Sequence, residues 1–130
     1  MLVVGIPQYL QNITNAKVDL TTTDNTTLYT APSNSDFNAS VINSILVSDD
    51  SGSGDTITVT MVNTSSAIFS VFKVKAVSGN ATVELLTKDL VLQSGEILKV
   101  QAATANRLHV VASIQELSKT RVTTSAISRI

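Results

Sequence analysis

Three carboxylates, Asp49, Asp50 and Asp55, fall within one run, DDSGSGD, that also holds Gly52 and Gly54. Hard carboxylate oxygens on a glycine-containing loop are the donor type that calcium takes. The run lacks EF-hand ligand spacing and the glutamate that closes such a loop. A solvated turn is therefore expected, with the three aspartates as weak candidates for a metal. The one histidine, His109, has no second histidine at metal-ligand spacing, and a surface or interface role is expected for it. There is no cysteine, which removes disulfides, thiolate nucleophiles and thiolate metal sites. No nucleophile elbow, phosphate-cradling glycine loop or zinc spacing is found. The ten acidic residues single out no pair for glycoside hydrolysis. The expectation is a protein that is not an enzyme, with no catalytic residue, no cofactor-binding residue and no cofactor.

The elements that would carry such side chains are β-strands. A chain of 130 residues makes about one domain. Thr, Ser and Val are the commonest residues and Asn is abundant, a bias that suits β-branched strands joined by polar turns. Charged residues are 15% and the formal net charge is −1, so neither a nucleic acid nor a membrane surface is favoured as a partner. Five Asn-x-Ser/Thr triplets, at Asn12, Asn25, Asn38, Asn63 and Asn80, follow from this composition and carry no inference of secretion.

The stretch LLTKDLVLQSGEILKVQAA, residues 85–103, reads as a hairpin. One strand covers 89–92, a turn falls at Gln93-Ser94-Gly95-Glu96, and a second strand covers 97–102 with Leu98, Val100 and Ala102 inward. Residues 107–115 repeat the alternation with Leu108, Val110, Ala112 and Ile114 inward, and the short link before them predicts an antiparallel neighbour and a meander. His109 then faces outward. Earlier in the chain, 16–20 predicts a short strand with Ala16, Val18 and Leu20 inward. Residues 26–30 predict a second, stopped at Pro32. Residues 37–48 predict a long strand with a bulge or twist near Asn43-Ser44 that lets Ile45 and Val47 share a face.

Residues 55–63 give the cleanest alternation, with Ile57, Val59 and Met61 against Thr56, Thr58 and Thr60. Residues 68–77 follow, with Phe72, Val74 and Ala76 alternating with Lys73 and Lys75, and a turn at 78–80 leads into a strand at 81–86. Residues 115–119 fit either the end of a strand or one helical turn. About eight strands at this spacing predict an all-β fold, an antiparallel β-sandwich of jelly-roll type.

Both ends read as extensions: an apolar arm at 1–14, the sandwich at 15–118 and a C-terminal extension at 119–130. The first segment lacks the basic start and cleavage site of a signal peptide and is too short to span a bilayer. It fits either an edge strand of the domain's own core or an arm packed on a neighbour. Leu2, Val3, Val4, Ile6, Tyr9 and Leu10 would be costly to expose, and with Val122, Ile127 and Ile130 they are the interface candidates. Arms of this kind predict a homo-oligomer, a dimer or trimer.

The segments LYTAPSNSDFNASVINSILVSD, DTITVTMVN and LLTKDLVLQSGEILKVQA, followed by ASIQEL, resemble small virion proteins of tailed bacteriophages over about residues 28–117. The resemblance implies a structural role. The chain would be a capsid decoration or cement protein, bound to itself and to a major capsid protein or other virion component. It would be made in the host cytoplasm and located on the virion. A neck, tail or fibre-attachment component is the alternative. A receptor- or carbohydrate-binding module is a second, for which the chain offers only Tyr9, Tyr29, Phe37, Phe69 and Phe72 and no tryptophan.

Overall fold

The computed structural model describes residues 8–34 and 36–122, with backbone alone at 8–10 and 119–122. Nine strands are present among them: β1 (Gln8–Asp19), β2 (Thr26–Thr30), β3 (Ala39–Asp49), β4 (Asp55–Val62), β5 (Ile68–Val77), β6 (Thr82–Glu84), β7 (Leu90–Gln93), β8 (Ile97–Ala102) and β9 (Leu108–Val122). All ladders are antiparallel. Sheet A has the order β1-β9-β3-β6, with β7 on the same side of β3 as β6, and sheet B has the order β2-β8-β4-β5.

The pairings nest. β4 pairs with β5, β3 with β6 and β7, β2 with β8, and β1 with β9, so the chain is one long folded-back ribbon. Rolling that ribbon adds the β3–β9 and β4–β8 ladders and closes two sheets face to face. This is a jelly roll in which the strand opposite β3 is split into β6 and β7.

Alternation explains which residues meet inside. Ile57 and Val59 of β4, Leu98, Val100 and Ala102 of β8, and Leu108, Val110, Ala112 and Ile114 of β9 are all at most 1% exposed. At about 25 cal/mol per Å2 of apolar surface removed from water, such positions supply the main force closing the sandwich. The bulge in β3 is where the sequence placed it. Pairing with β9 slips between Ile42 and Ser44, which returns Ile45 and Val47 to the core. Glu84 stitches that bulge: its carboxylate accepts hydrogen bonds from the Ser44 hydroxyl, the Ile45 N–H at 2.8 Å and the Leu86 N–H at 3.2 Å.

Three expectations are corrected. The 85–103 stretch is not a hairpin, because β7 pairs with β3 while β8 pairs with β2 and β4. Its turn is closed by Glu96 N–H to Gln93 O at 3.0 Å and is tied to the end of β2: Gly95 N–H donates to Ala31 O at 3.1 Å and Ala31 N–H to Glu96 O at 2.8 Å. β8 and β9 likewise lie in different sheets, so the meander is absent. In β5 Phe72 packs against the core, but Val74 is 59% exposed and Val77 replaces it as the buried residue. The cause is local. Val74 has φ of 53°, and the ladder slips so that Val59 faces Phe72 while Ile57 faces Lys75, one extra residue on β5.

The ends also differ from the expected division. β1 starts at Gln8 and β9 runs on to Val122, so residues 8–14 and 119–122 belong to paired strands of sheet A. Residues 115–119 continue β9 and make no helical turn.

Candidate interaction surface

Sheet A places one set of side chains on its outer side. The inward residues of β9 are Leu108 to Ile114 in steps of two, so His109, Val111, Ser113 and Gln115 face out, and the ladder registers extend these into rows. One row reads Ile13, Gln115, Val41, Val91; another reads Lys17, Val111, Leu46, Glu84; a third reads Asp19, His109, Ser48, Thr82. Ile13 is 82% exposed, Val91 54%, Leu46 39% and Val111 38%, so the first two rows present apolar side chains, flanked in the second row by Lys17 and Glu84.

A shallow depression of ≈ 270 Å3 lies where Lys17, Val18, Asp19, His109, Val110 and Val111 meet. His109 sits there between two carboxylates, Nε2 at 3.2 Å from Asp19 Oδ1 and Nδ1 at 3.7 Å from Asp50 Oδ2. A second depression, of ≈ 360 Å3, opens between the sheets where Met61, Phe69 and Val91 approach Asn63, Gln93 and Glu96. Phe69 in its lining is 51% exposed, and the preceding residue, Ile68, is 67% exposed.

The carboxylates of the 49–55 loop are not gathered. Asp49 is buried and its Oδ1 accepts hydrogen bonds from Ser51 N–H at 2.7 Å, Ser51 Oγ–H at 2.8 Å and Gly52 N–H at 2.9 Å. Burial pushes the Asp49 carboxyl up, but the Ser51 hydroxyl and the loop N–H groups outweigh it and hold it below the ordinary carboxylate range. Asp50 faces His109, and Asp55 Oδ2 accepts from Thr104 N–H at 2.9 Å. Among the described residues no group of three metal-ligating side chains is arranged to hold a metal ion. The loop is a self-bonded turn that ends β3 and starts β4.

The aromatic residues are spread in the same way. Tyr29 turns inward, donating to the Glu116 carboxylate and lying 2.8 Å from Ser40 Oγ, while Asn12 Nδ2 donates to the other Glu116 oxygen at 2.8 Å. Burial, and then the bond donated to Glu116, push the Tyr29 hydroxyl well above its ordinary pKa. These four residues tie β2 of sheet B to β1, β3 and β9 of sheet A. Phe72 packs on the core and Phe69 lies at the far end of β5.

Of the interface candidates, Leu2, Val3, Val4, Ile6, Ile127 and Ile130 lie outside the described residues. Tyr9 and Leu10 fall in β1 and Val122 in β9, with Tyr9 opposite Arg121 and Gln8 opposite Val122. Ile13 was missed as a site residue. It had a signal, a lone large apolar side chain in the polar run QNITN, flanked at both i±2 positions by polar residues.

No protein-family model and no curated protein matches the sequence. A solved chain of Bacillus endospore appendages, described as a novel family of disulfide-linked pili, is similar in fold. The TM-score is 0.53 at 12% identity, over 88% of this chain and 93% of that one. At that identity the likeness is one of fold. The sequence contains no cysteine, so the disulfide linkage named for that pilus has no counterpart in these residues. Among the described residues no helix is long and apolar enough to cross a membrane.

Proposed function

We propose that the chain is a structural subunit of a repeating protein assembly, and that its task is to bind copies of itself and neighbouring subunits. The observation that carries this reading is the outer side of sheet A, where Ile13, Val91, Leu46 and Val111 stand exposed on a jelly roll with a densely closed core. Scattered apolar residues are ordinary on a monomer; rows of them across one sheet face are the kind of surface that association covers. Within this reading the first assignment is a capsid decoration or cement protein of a tailed-phage virion, with neck or tail as runner-up. It is supported by the resemblance over residues 28–117 and by the frequent use of jelly rolls in viral shells. A second assignment, the subunit of a pilus-like filament, is favoured by the fold shared with the endospore appendage chain.

Electron microscopy and mass photometry of the purified protein test this. Small closed oligomers that attach to phage heads support the cement assignment, and filaments support the second. A monomer at high micromolar concentration that attaches to nothing overturns both. Deleting residues 1–7 removes Leu2, Val3, Val4 and Ile6 while sparing every β1–β9 pair. The domain is expected to stay folded, with assembly weakened.

A further inference from the structure

The two sheets have four edge strands, and three of them are protected. β2 is five residues long, slips register between Thr27 and Tyr29, and ends before Pro32. β5 slips twice against β4, carries Val74 at positive φ, and sets Lys75 opposite Ile57. The fourth position in sheet A is broken into β6 and β7, of three and four residues. Short length, bulges and charged side chains are the usual means of preventing edge pairing.

β1 is the exception. It is twelve residues long, its only register shift against β9 lies between Tyr9 and Gln11, and from Gln11 to Ala16 it carries no charge and no proline.

Its free hydrogen-bonding groups can be assigned. Leu20 N–H donates to Leu108 O at 3.0 Å and Leu20 O accepts from Asn106 N–H at 2.9 Å, so Leu20 turns both groups toward the β9 side. Alternation along the unbroken register then turns Val18, Ala16, Thr14 and Asn12 the same way. Gln11, Ile13, Asn15, Lys17 and Asp19 turn theirs to the open edge, where Asn15 O accepts one long bond from the Thr14 hydroxyl at 3.5 Å. Asp19 O, which accepts from Thr21 N–H at 3.0 Å, agrees with this phase. The edge therefore offers a row of N–H and C=O groups centred on Ile13.

We infer that β1 pairs antiparallel with β1 of a second copy, about a two-fold axis at Ile13. This specifies one contact of the self-assembling subunit proposed above and rests on that reading. The two Ile13 residues then form a hydrogen-bonded pair, and Gln11 of each copy faces Asn15 of the other. The partner is a second copy because a strand must match an unprotected edge, and among the described residues only β1 provides one. Electrostatics permit the approach: the paired segment is uncharged and the whole chain has a formal net charge of −1. The pairing covers the most exposed large apolar side chain described and joins two copies of sheet A into one continuous sheet.

The test uses the full chain, into which single cysteines can be introduced on a cysteine-free background. Wild type is expected to show a monomer–dimer equilibrium by sedimentation. Ile13→Lys is expected to weaken it by roughly tenfold or more, with an unchanged melting temperature because the side chain is exposed. Under mild oxidation Ile13→Cys is expected to give a covalent dimer well before Lys17→Cys does. A wild-type monomer, a dimer indifferent to Ile13→Lys, or equal cross-linking at the two positions overturns the proposal. If Ile13→Lys still forms shells or filaments as wild type does, the edge pairing falls and the subunit reading stands. If the dimer forms as described but neither attaches nor polymerises, the edge pairing stands and the subunit reading falls. Wild-type dimerisation only with an extended strand of another protein also overturns it.

Discussion

Val59 and Thr58 are adjacent in β4 and opposite in fate. Val59 is fully buried, whereas the Thr58 hydroxyl oxygen accepts the Val74 N–H at 3.1 Å on the outer side. Val59→Asp is expected to cost roughly 3 kcal/mol or more, through an unpaired carboxylate in the core, and to abolish soluble yield. Thr58→Asp keeps an acceptor for Val74 and is expected to melt near wild type; equal melting of the two variants would invert the strand face. Val74 itself is strained, being a β-branched residue with φ of 53° and 59% exposure. Val74→Gly removes a penalty of about 1–2 kcal/mol and adds about 0.5–1 kcal/mol of backbone entropy cost. A small rise in stability in urea titration is expected. Glu84 and Asp49 both have carboxyls held below the ordinary range, because hydrogen bonds from Ser44, Ile45 and the Leu85 and Leu86 backbone, and from the 49–54 loop, outweigh burial. The unfolded chain therefore takes up their protons first. Their stabilisation is complete above the ordinary carboxylate range and is lost as pH falls through it to the lowered folded values. Melting temperature should drop over that window, and Glu84→Gln should flatten the drop.

At the scale of elements, two loops at one end of the sandwich depend on each other. Gly79 lies so close to the Gly52 carbonyl that an added Cβ would collide with that backbone oxygen. Gly79→Ala is expected to destabilise by about 1–3 kcal/mol, the usual cost of forcing atoms into occupied space, while Ser78→Ala is tolerated. Prolonged chelation is expected to leave the melting temperature within about a degree, since the aspartates of the 49–55 loop bond to separate partners. Strand existence was legible in the sequence because period-two alternation is written in single residues, as in β4 and β8. The β3 bulge was legible too, since Ile42, Ile45 and Val47 cannot share a face without it. Strand partnership was not. The run 89–102 has hairpin alternation and a hairpin-type turn, and nothing within it records that Ala31, far earlier in the chain, captures Gly95 and Glu96. The β5 break was hidden for a similar reason, because Val, Lys and Ala alternate smoothly across a position whose backbone is left-handed. Ile13, the residue that marks the surface, sat in a polar run that pattern reading assigned to an arm.

At the scale of the whole molecule, the nested pairing explains why apolar rows and a bare edge collect on sheet A, which holds the first strand, the last strand and the split strand. It also sets the order in which the molecule can be made. β9 lies between β1 and β3, so the central strand of sheet A is the last of the nine to leave the ribosome. Until Leu108 to Val122 emerge, β1 and β3 have no partner between them, and Leu20, Ile42, Ile45 and Val47 lack the strand that covers them. Folding is then a late, concerted event dominated by distant pairings, slow by the standard of small domains. A chain ended before Leu108 is expected to remain unfolded and protease-sensitive, whereas supplying residues 107–122 as a separate peptide should restore protection. Synthesis thus acts as a timer. The β1 edge becomes an ordered surface only once β9 has emerged, so under the edge pairing proposed above a chain that lacks β9 has no formed edge to offer a second copy.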